Sequence, residues 1–289
     1  MPSISEFLLH GTGRLQFGPH RDRARADAEL LLMHLLRTNR AWLIANSNVE
    51  IGFENWKPYF KLLQRRYLGE PIQYITGEQE FYGLPFRVTP SVLIPRPETE
   101  HLVEKVIQFA PLFPKLRIVD VGTGSGAIAI AVAHEWPSAA ITAVDISAPA
   151  LELARRNAER TGFADRIRFL QGDLLAPVLS ERFNMVVSNP PYVPTADRES
   201  LSIEVREHEP ALALFAGEDG LDFYRRLIPD AFAVLDPSGY LLLEIGYGQS
   251  AAVAALMSET EFEQIEFVPD LQGIPRVACG RRRLLASST

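Results

Sequence analysis

Residues 117–127 of the chain read RIVDVGTGSGA, and this stretch predicts the fold. The first five residues form a short apolar run with one aspartate, which is typical of a buried β-strand. The apolar residues 127–135 predict a helix directly after the stretch. The glycines between strand and helix permit a tight turn and a close approach of a ligand to the backbone. Free N–H groups at the start of the helix add hydrogen-bond donors at the same place.

The same alternation of strands and helices continues towards the C-terminus. We predict strands at 140–146, 167–170, 183–188 and 240–245, helices at 148–160, 221–235 and 250–258, and a final antiparallel pair at 262–268 and 276–279. Strands separated by helices of this length indicate βαβ units, and therefore an α/β fold with a mainly parallel sheet. Open sheets of this kind bind ligands beyond the carboxyl ends of the strands, near the point where the strand order reverses. The chemistry is therefore expected just after the first four strands.

The part of the chain before this sheet predicts a separate helical domain. Apolar side chains recur at spacings of three and four between Ala24 and Leu36 and again between Tyr59 and Tyr67, as in amphipathic helices. A short hairpin with a Gly-Leu-Pro turn is predicted at 81–88. The predicted organisation is a helical domain at 1–79, a hairpin linker at 80–97 and the α/β domain at 98–289.

Composition excludes several classes of protein. The chain has 289 residues, of which 47% are hydrophobic and 22% charged, so it has the average composition of a globular protein. No apolar run reaches the ~18 to 20 residues of a membrane helix. The first ten residues lack the cationic and apolar pattern of a secretory signal, so a cytoplasmic location is expected. The single cysteine, Cys279, excludes a disulfide framework and a multi-thiolate zinc site, and no metal is expected.

The net charge is −7, which argues against a general nucleic-acid binder. The charge is unevenly distributed along the chain. Residues 1–78 carry 10 Lys and Arg against 8 Asp and Glu, and the remainder carries 19 against 28. A solvated surface explains this difference, and a partner-binding role for the mildly basic helical domain is the alternative.

The glycine loop is compatible with two kinds of cofactor. Gly122, Gly124 and Ala127 satisfy the looser dinucleotide fingerprint. The additional Gly126 would leave room for a bulky nucleoside, which favours S-adenosylmethionine. We predict that the cofactor contacts the loop residues Gly122, Thr123, Gly124, Ser125 and Gly126.

Two aspartates at later strand ends extend this cofactor site. Asp145 follows the second strand, 23 residues after Gly122, where a carboxylate can accept hydrogen bonds from both ribose hydroxyls. A helix N-cap is the alternative role, although Ser147 already suits it. Asp173 follows the third strand and could accept from the adenine amino group, with Leu174 packing on the ring. For Asp173, a simple turn-forming role remains open.

The sequence Asn189-Pro190-Pro191-Tyr192 closes the fourth strand. Its two prolines restrict the backbone, so the side-chain oxygen of Asn189 and the carbonyl of Pro190 can point at one position. Two acceptors that converge on one NH₂ group would bind a planar amide or an aromatic amine, and Tyr192 would supply a flat face for it. A dehydrogenase does not need such a pocket, which argues against the dinucleotide alternative.

Several motifs together resemble the peptide chain release factor glutamine N5-methyltransferases, the HemK/PrmC family. They are residues 94–100, 120–126 and 189–192, followed by 204–206, 209–210, 213–214, 217–221 with Tyr224, 243–246, and 270–273 with Arg276. The resemblance covers both predicted domains. Position 174 is often aromatic in the family and is leucine here, and Phe215-Ala216-Gly217 stands where a Gly-Gly pair is common.

The resemblance implies a Rossmann-like, seven-stranded class I methyltransferase sheet and a helical N-terminal domain that recognises a class 1 release factor. It implies methyl transfer from S-adenosylmethionine, with S-adenosylhomocysteine as product, to the glutamine of the factor's Gly-Gly-Gln motif, which modulates translation termination. Segments 243–246 and 270–273 would shape the far edge of the sheet. No membrane contact and no direct nucleic-acid substrate are expected.

The resemblance also assigns roles around the acceptor. Asn189, Pro190 and Tyr192 would be catalytic, Pro191 would join them in binding the substrate, and Asn189 would also border the cofactor. Arg96, with Glu98 and Glu100, would organise the acceptor side or form a salt bridge in the linker.

Three rival functions remain open from the sequence. They are a DNA adenine N6-methyltransferase, a ribosomal-protein glutamine methyltransferase and a non-catalytic S-adenosylmethionine sensor. Base flipping on DNA usually needs a basic cleft, which the acidic α/β part disfavours. The intact motif at 189–192 argues against loss of catalysis.

Overall fold

The computed structural model describes residues 1–284. The chain forms two compact units. One contains Met1–Glu78 together with Leu201–His208, and the other contains Gln79–Ser200 and the chain from Glu209 onward. The short segment Leu201–His208, which the sequence analysis placed with the α/β part, therefore groups with the helical unit.

Eleven helices and nine strands are described between residues 1 and 284. The helices are α1 (Ile4–Leu15), α2 (Ala24–Leu36), α3 (Arg40–Ala45), α4 (Trp56–Tyr67), α5 (Ile72–Thr76), α6 (Glu100–Phe109), α7 (Ala127–Glu135), α8 (Ala148–Thr161), α9 (Ile203–His208), α10 (Asp222–Val234) and α11 (Ser250–Glu259). The strands are β1 (Glu78–Phe81), β2 (Leu84–Arg87), β3 (Arg117–Val121), β4 (Ala140–Asp145), β5 (Ile167–Gln171), β6 (Phe183–Ser188), β7 (Leu235–Glu244), β8 (Phe262–Pro269) and β9 (Pro275–Arg282).

The helical unit is built from α1 to α5 and α9. Ser3 and Glu6 form a capping box at the start of α1, which satisfies two of its free N–H groups. The apolar faces of the helices meet in one core, which includes Ile4, Phe7, Leu31, Leu32, Tyr59 and Leu63. Arg66 of α4 is buried in the same unit and pairs with Asp27 of α2, with 2.5 Å between Nε and Oδ2, and with Glu204 of α9. This ion pair with Glu204 fixes α9 to the helical unit.

The large unit contains a seven-stranded sheet with the order β5-β4-β3-β6-β7-β9-β8. The first five strands in this order are parallel, and β9 is antiparallel to both of its neighbours. The chain runs outward from β3 through β4 to β5 and then returns to the other side of β3 as β6. The strand order therefore reverses between β3 and β6. The α/β class and the seven strands expected from the sequence are confirmed.

Helices cover both faces of this sheet. Ile118 of β3 packs in a cluster with α6, α7 and α8, whereas Val119 packs in a second cluster with α10 and α11. Residues Ala127 to Ala133 of α7 are all buried, which explains the uninterrupted apolar run in the sequence. Sheet and helices therefore form three layers, with the carboxyl ends of the parallel strands free to carry loops.

The hairpin between the helical domain and the large sheet differs in one detail from the prediction. Its turn lies at Tyr82-Gly83, with φ values of 53° and 71°, and Leu84 and Pro85 already belong to β2. Two consecutive residues with positive φ are typical of a type I′ turn, whose twist matches that of the two strands. The predicted Gly-Leu-Pro turn is therefore wrong by one to two positions.

Within residues 1–284, no helix combines the length and the apolar character needed to cross a membrane. The same described residues contain no group of three or more His, Cys, Asp or Glu side chains that could hold a metal ion.

Asp120 of β3 makes the free energy of unfolding depend on pH. The side chain is fully buried, and burial raises the pKa of Asp120 from its ordinary 3.8 to about 7. Between these two pH values the folded protein holds a proton that the unfolded chain releases, so stability falls as the pH rises. Relative to Asp120→Asn, the wild type is expected to lose stability from pH 4 up to about pH 7 and then level off, as measured by urea unfolding at each pH.

The exposed-site variant Asp165→Asn is the matched control for this prediction. It is expected to follow the wild type at every pH. A constant difference between the wild type and Asp120→Asn over the whole range would contradict the assigned burial effect.

Candidate active site

A cavity of about 300 Å³ lies at the carboxyl ends of β3, β4, β5 and β6. The loops after these four strands contribute Gly122, Thr123, Gly124, Ser125, Asp145, Ser147, Asp173 and Asn189 to its lining. Val121 of β3 is in register with Ser188 of β6 on one side and with Val144 of β4 on the other. The cavity therefore lies beside the strand at which the order reverses, which is the position expected from the sequence.

The glycine loop after β3 forms one wall of the cavity. Gly122 has a φ of 71°, and a Cβ added there would have no atom within 4 Å. Glycine is therefore needed for the backbone conformation, and the backbone stays open to the cavity. The loop is held by Thr123, whose Oγ1 donates to Oδ2 of Asp120 at 2.6 Å, and by the Gly122 N–H, which donates to the Val144 carbonyl at 2.8 Å.

Gly126 precedes α7 and lies close to α8. It is not among the described residues that line the cavity. A Cβ on Gly126 would lie 3.1 Å from Cδ1 of Ile130 and 3.2 Å from Cβ of Ala154, and its φ is 82°. The missing side chain therefore allows α7 to pack against α8. This packing accounts for a glycine at 126, and its contact with a cofactor stays a prediction.

Asp145 links the glycine loop to the start of α8. Its Oδ2 accepts from the Gly124 N–H and its Oδ1 from the Ser147 N–H, both at 2.8 Å. Burial raises the pKa of Asp145. Each carboxylate oxygen still has a lone pair for a further donor in the cavity. The N-cap of α8 is Ser147, whose side chain accepts from the Ala150 N–H at 3.3 Å, so Asp145 is not the capping residue.

The wall after β5 combines a charged pair with apolar groups. Asp173 forms an ion pair with Arg226 of α10, and both residues line the cavity. Leu174 has a φ of 48°, a conformation that costs free energy for a non-glycine residue and is common at ligand sites. Phe223 of α10 lines the same cavity. An aromatic ring therefore borders the cavity although position 174 is not aromatic.

Asn189 lies at the end of β6 with its side chain fixed from one side. Ser188 ties this end of β6 to β3, because its Oγ donates to the Val121 carbonyl at 2.6 Å. The Nδ2 of Asn189 donates to Oγ1 of Thr99 at 3.0 Å. Asn189 and Pro191 line the cavity, whereas Pro190 is buried beside it. No described residue donates a hydrogen bond to Oδ1 of Asn189.

Tyr192 is held by hydrogen bonds at its side-chain hydroxyl and at its backbone carbonyl. Its hydroxyl donates to Oε1 of Glu244 at 3.3 Å, and its carbonyl accepts from Nε2 of Gln249 at 2.9 Å. The ring packs against the core cluster of α10 and α11. Tyr192 is not among the described residues that line the cavity, and its flat contact with a substrate stays a prediction.

Glu244 lies at the carboxyl end of β7, and its side chain is buried. Oε2 accepts from the Thr99 hydroxyl at 2.6 Å. Burial raises the pKa of Glu244 to about 7, opposed by the hydrogen bonds from Thr99 and Tyr192. Since β7 lies between β6 and β9, the expectation that segment 243–246 shapes the far edge of the sheet is wrong. Segment 270–273 does lie in the turn between the last two strands.

Two charged residues of the segment 96–100, Arg96 and Glu100, have partners of their own. Arg96 forms an ion pair with Glu209, whose carboxylate is buried, and Oε1 of Glu100 accepts from the Tyr82 N–H at 2.8 Å. None of Arg96, Glu98 and Glu100 is among the described residues that line the cavity. The geometry therefore favours the salt-bridge alternative for Arg96 over direct contact with a substrate.

Sequence reasoning did not identify Thr99, Phe223 and Arg226 as site residues. Thr99 belongs to the motif at 94–100, but the functional role in that motif was assigned to its charged residues. Phe223 and Arg226 come from α10, whose one proline, Pro229, lies after both residues, so no turn motif marks them in the sequence. Their one available signal was the spacing of three residues, which places both side chains on the same face of a helix.

Two family models match the chain. The model described as the PrmC N-terminal domain matches residues 6–77, and the model described as the methyltransferase small domain matches residues 99–205. Among solved structures, a methyltransferase from Pyrococcus furiosus has a TM-score of 0.52 at 18% identity and covers 71% of this chain and 91% of its own. The delta-N METTL16 methyltransferase domain has the same TM-score at 19% identity, with the same coverages. These two structures support the fold alone.

Curated relatives match almost the whole chain. A release factor glutamine methyltransferase from Koribacter versatilis is 45% identical over 89% of this chain and 91% of its own length. Relatives with the same name from Geobacter sulfurreducens and Nitratidesulfovibrio vulgaris are 45% and 40% identical, over 90% and 98% of this chain and 90% and 96% of their own lengths. With identities of this size over both units, the chain belongs to the release factor glutamine methyltransferase family.

Proposed function

We propose that this protein transfers a methyl group from S-adenosylmethionine to the side-chain amide nitrogen of the glutamine in the Gly-Gly-Gln motif of class 1 release factors. The observation that carries the proposal is the cavity-lining Asn189, whose Nδ2 is engaged by Thr99 so that Oδ1 is left to accept. The names of the relatives support the substrate. A release-factor substrate supports a cytoplasmic location for the enzyme.

The residues of the cavity fit S-adenosylmethionine. The open backbone at Gly122 and Gly124 borders the space that the amino-acid part of the cofactor would take, and the buried carboxylate of Asp145 would accept from the ribose hydroxyls. Asp173 and Leu174 would border the adenine ring. The bound cofactor supplies an electrophilic methyl group on a positively charged sulfur.

The chain contributes to the reaction by orienting the acceptor. An amide nitrogen is a poor nucleophile because its lone pair is delocalised into the carbonyl. If the Asn189 Oδ1 and the Pro190 carbonyl accept both amide hydrogens, the nitrogen can become pyramidal with its lone pair directed at the methyl group. Tyr192 would border the plane of the amide. Positioning of this kind contributes up to ~7 to 11 kcal/mol to lowering a barrier.

No general base is needed within the Asn189 loop. The methylated nitrogen is strongly acidic and loses its proton to water. The buried carboxylate of Glu244 already accepts from Thr99 and Tyr192, so it is occupied as a hydrogen-bond acceptor.

The helical unit is the proposed recognition domain for the release factor. It exposes large apolar side chains, among them Leu9, Phe17, Ile44 and Phe53. Such groups are typical of protein-binding surfaces when they are contiguous. The acidic balance of residues 79–289 disfavours DNA as an alternative substrate.

The first prediction concerns the choice of substrate. Transfer of labelled methyl groups is compared for a class 1 release factor, purified ribosomal proteins and duplex DNA. We expect label only in the release factor, on the Gly-Gly-Gln glutamine as located by peptide mass spectrometry. An isolated Gly-Gly-Gln peptide is expected to give a lower kcat/KM, because it lacks the surface that the helical unit would bind. Preferred labelling of DNA or of a ribosomal protein would contradict the proposal.

Cofactor binding is the second prediction. Asp145→Ala is expected to weaken S-adenosylmethionine binding by about 1.5 to 3 kcal/mol, the scale of hydrogen bonds to a charged group. Isothermal calorimetry measures this, and the exposed-site variant Asp165→Ala is the control. NADH is expected to bind neither form, and tight NADH binding by the wild type would overturn the assignment.

The third prediction isolates Asn189. Losing a preorganised polar contact made mainly in the transition state typically lowers kcat by ~10²- to 10³-fold. Asn189→Ala is expected to show this loss in single-turnover methyl transfer, with release-factor Kd nearly unchanged. Asn184→Ala is the control, because Asn184 lies in the same strand but bonds to Arg117 and Asp236 outside the cavity. If Asn189→Ala kept the wild-type kcat, Asn189 would have only a structural role in the turn, and the mechanism would be contradicted.

A further inference from the structure

A series of three hydrogen-bonded side chains runs from the cavity into the interior of the large unit. Nδ2 of Asn189 donates to Oγ1 of Thr99 at 3.0 Å, and the Thr99 hydroxyl donates to Oε2 of Glu244 at 2.6 Å. Thr99 and Glu244 are buried, with 3% and 2% of their surfaces exposed. The chain of hydrogen bonds thus runs from a cavity-lining amide to a carboxylate that water does not reach.

The direction of each hydrogen bond in this chain follows from its last member. When Glu244 is ionised, both of its oxygens act as acceptors, and Oε1 receives the hydroxyl of Tyr192. The hydroxyl proton of Thr99 therefore points at Glu244, and a lone pair of Oγ1 faces Asn189. An acceptor at this position binds the NH₂ end of the Asn189 amide and not its oxygen.

Orientation matters because the two ends of an amide have opposite hydrogen-bonding roles. With Nδ2 bound to Thr99, Oδ1 is the end left for a ligand in the cavity. The flipped amide would place an NH₂ group against the NH₂ group of an acceptor amide, two donors without an acceptor between them. Such a contact would leave both groups without a partner in a partly buried site, which is costly.

We propose that Thr99 and Glu244 are positioning residues for methyl transfer, which hold the Asn189 amide in the single orientation that accepts from the acceptor nitrogen. The proposal rests on the proposed function, because it assigns the reason why Asn189 is effective there. Neither residue is required to touch the reacting atoms. Thr99 acts on the rate through Asn189, and Glu244 acts through Thr99.

Substitutions at Thr99 test this directly. Thr99→Val keeps the shape of the side chain and removes the acceptor, whereas Thr99→Ser keeps the hydroxyl. We expect Thr99→Val to lower kcat about tenfold, the scale of one lost hydrogen bond, with KM for S-adenosylmethionine and release-factor Kd unchanged. Thr99→Ser is expected to retain most of kcat. Thr142→Val is the matched control, since Thr142 is also buried in the large unit but bonds to Arg168.

The Asn189→Ala background separates positioning from a general structural role. If Thr99 acts through Asn189, Thr99→Val is expected to cause no further loss once Asn189 is alanine. A purely structural defect would lower kcat by the same factor in both backgrounds. An unchanged kcat in Thr99→Val, or an equal loss in both backgrounds, would overturn the proposal.

Substitutions at Glu244 test the last member of the chain. Glu244→Gln is expected to keep most of kcat, because its amide oxygen can still accept from Thr99 while its NH₂ group donates to the Tyr192 hydroxyl oxygen. Glu244→Leu removes both acceptors and is expected to behave like Thr99→Val. Wild-type kcat in a folded Glu244→Leu would remove Glu244 from the proposal.

A readout without turnover keeps this proposal distinguishable from the proposed function. The side-chain NH₂ signal of Asn189 is identified by NMR of ¹⁵N-asparagine-labelled protein as the signal that Asn189→Ala removes. Thr99→Val is expected to shift this signal, and Thr99→Ser to preserve it. If the wild type methylated no release factor, the proposed function would fail, while a shifted signal would still support the hydrogen bond and an unshifted one would overturn it.

Discussion

The reversal of strand order between β3 and β6 is the constraint on which the site depends. Because the chain runs outward from β3 to β5 and then returns to the other side of β3, the loops after β3 and β6 open next to each other. The hydroxyl of Ser188 locks the two strand ends together through the Val121 carbonyl. The glycine loop and the Asn189 loop, which are more than 60 residues apart in sequence, therefore border one cavity.

A second constraint operates at the level of single atoms. Asn189 is useful to an amide acceptor only in one of its two orientations, and the buried pair Thr99–Glu244 selects that orientation. Glu244 comes from β7, which lies next to β6, so the sheet itself brings the buried carboxylate beneath the loop. The central part of the sheet thus supports the acceptor side, while the glycine loop and Asp145 form the proposed cofactor side.

Much of this architecture could be predicted from local patterns in the sequence. Short apolar runs predicted the bounds of β3 to β6 to within one residue of those observed. Buried parallel strands are recognisable in this way because nearly all of their residues are apolar. The side-chain network was not predictable, since the partner of Asn189 lies 90 residues away and nothing local to Thr99 indicates it. The packing partner of Gly126 and the ion-pair partner of Arg96 were not predictable for the same reason. Their neighbours, Ala154 for Gly126 and Glu209 for Arg96, are brought together only by the tertiary fold.

The central claim is that Asn189 presents an oriented acceptor to a glutamine amide. A crystal structure of the full chain with S-adenosylhomocysteine and a class 1 release factor tests it most directly. The account predicts the glutamine NH₂ group within hydrogen-bond distance of the Asn189 Oδ1 and the Pro190 carbonyl, directed at the sulfur, with Asn189 Nδ2 still on Thr99. A glutamine bound elsewhere, or an Asn189 amide turned with its nitrogen towards the substrate, would contradict it.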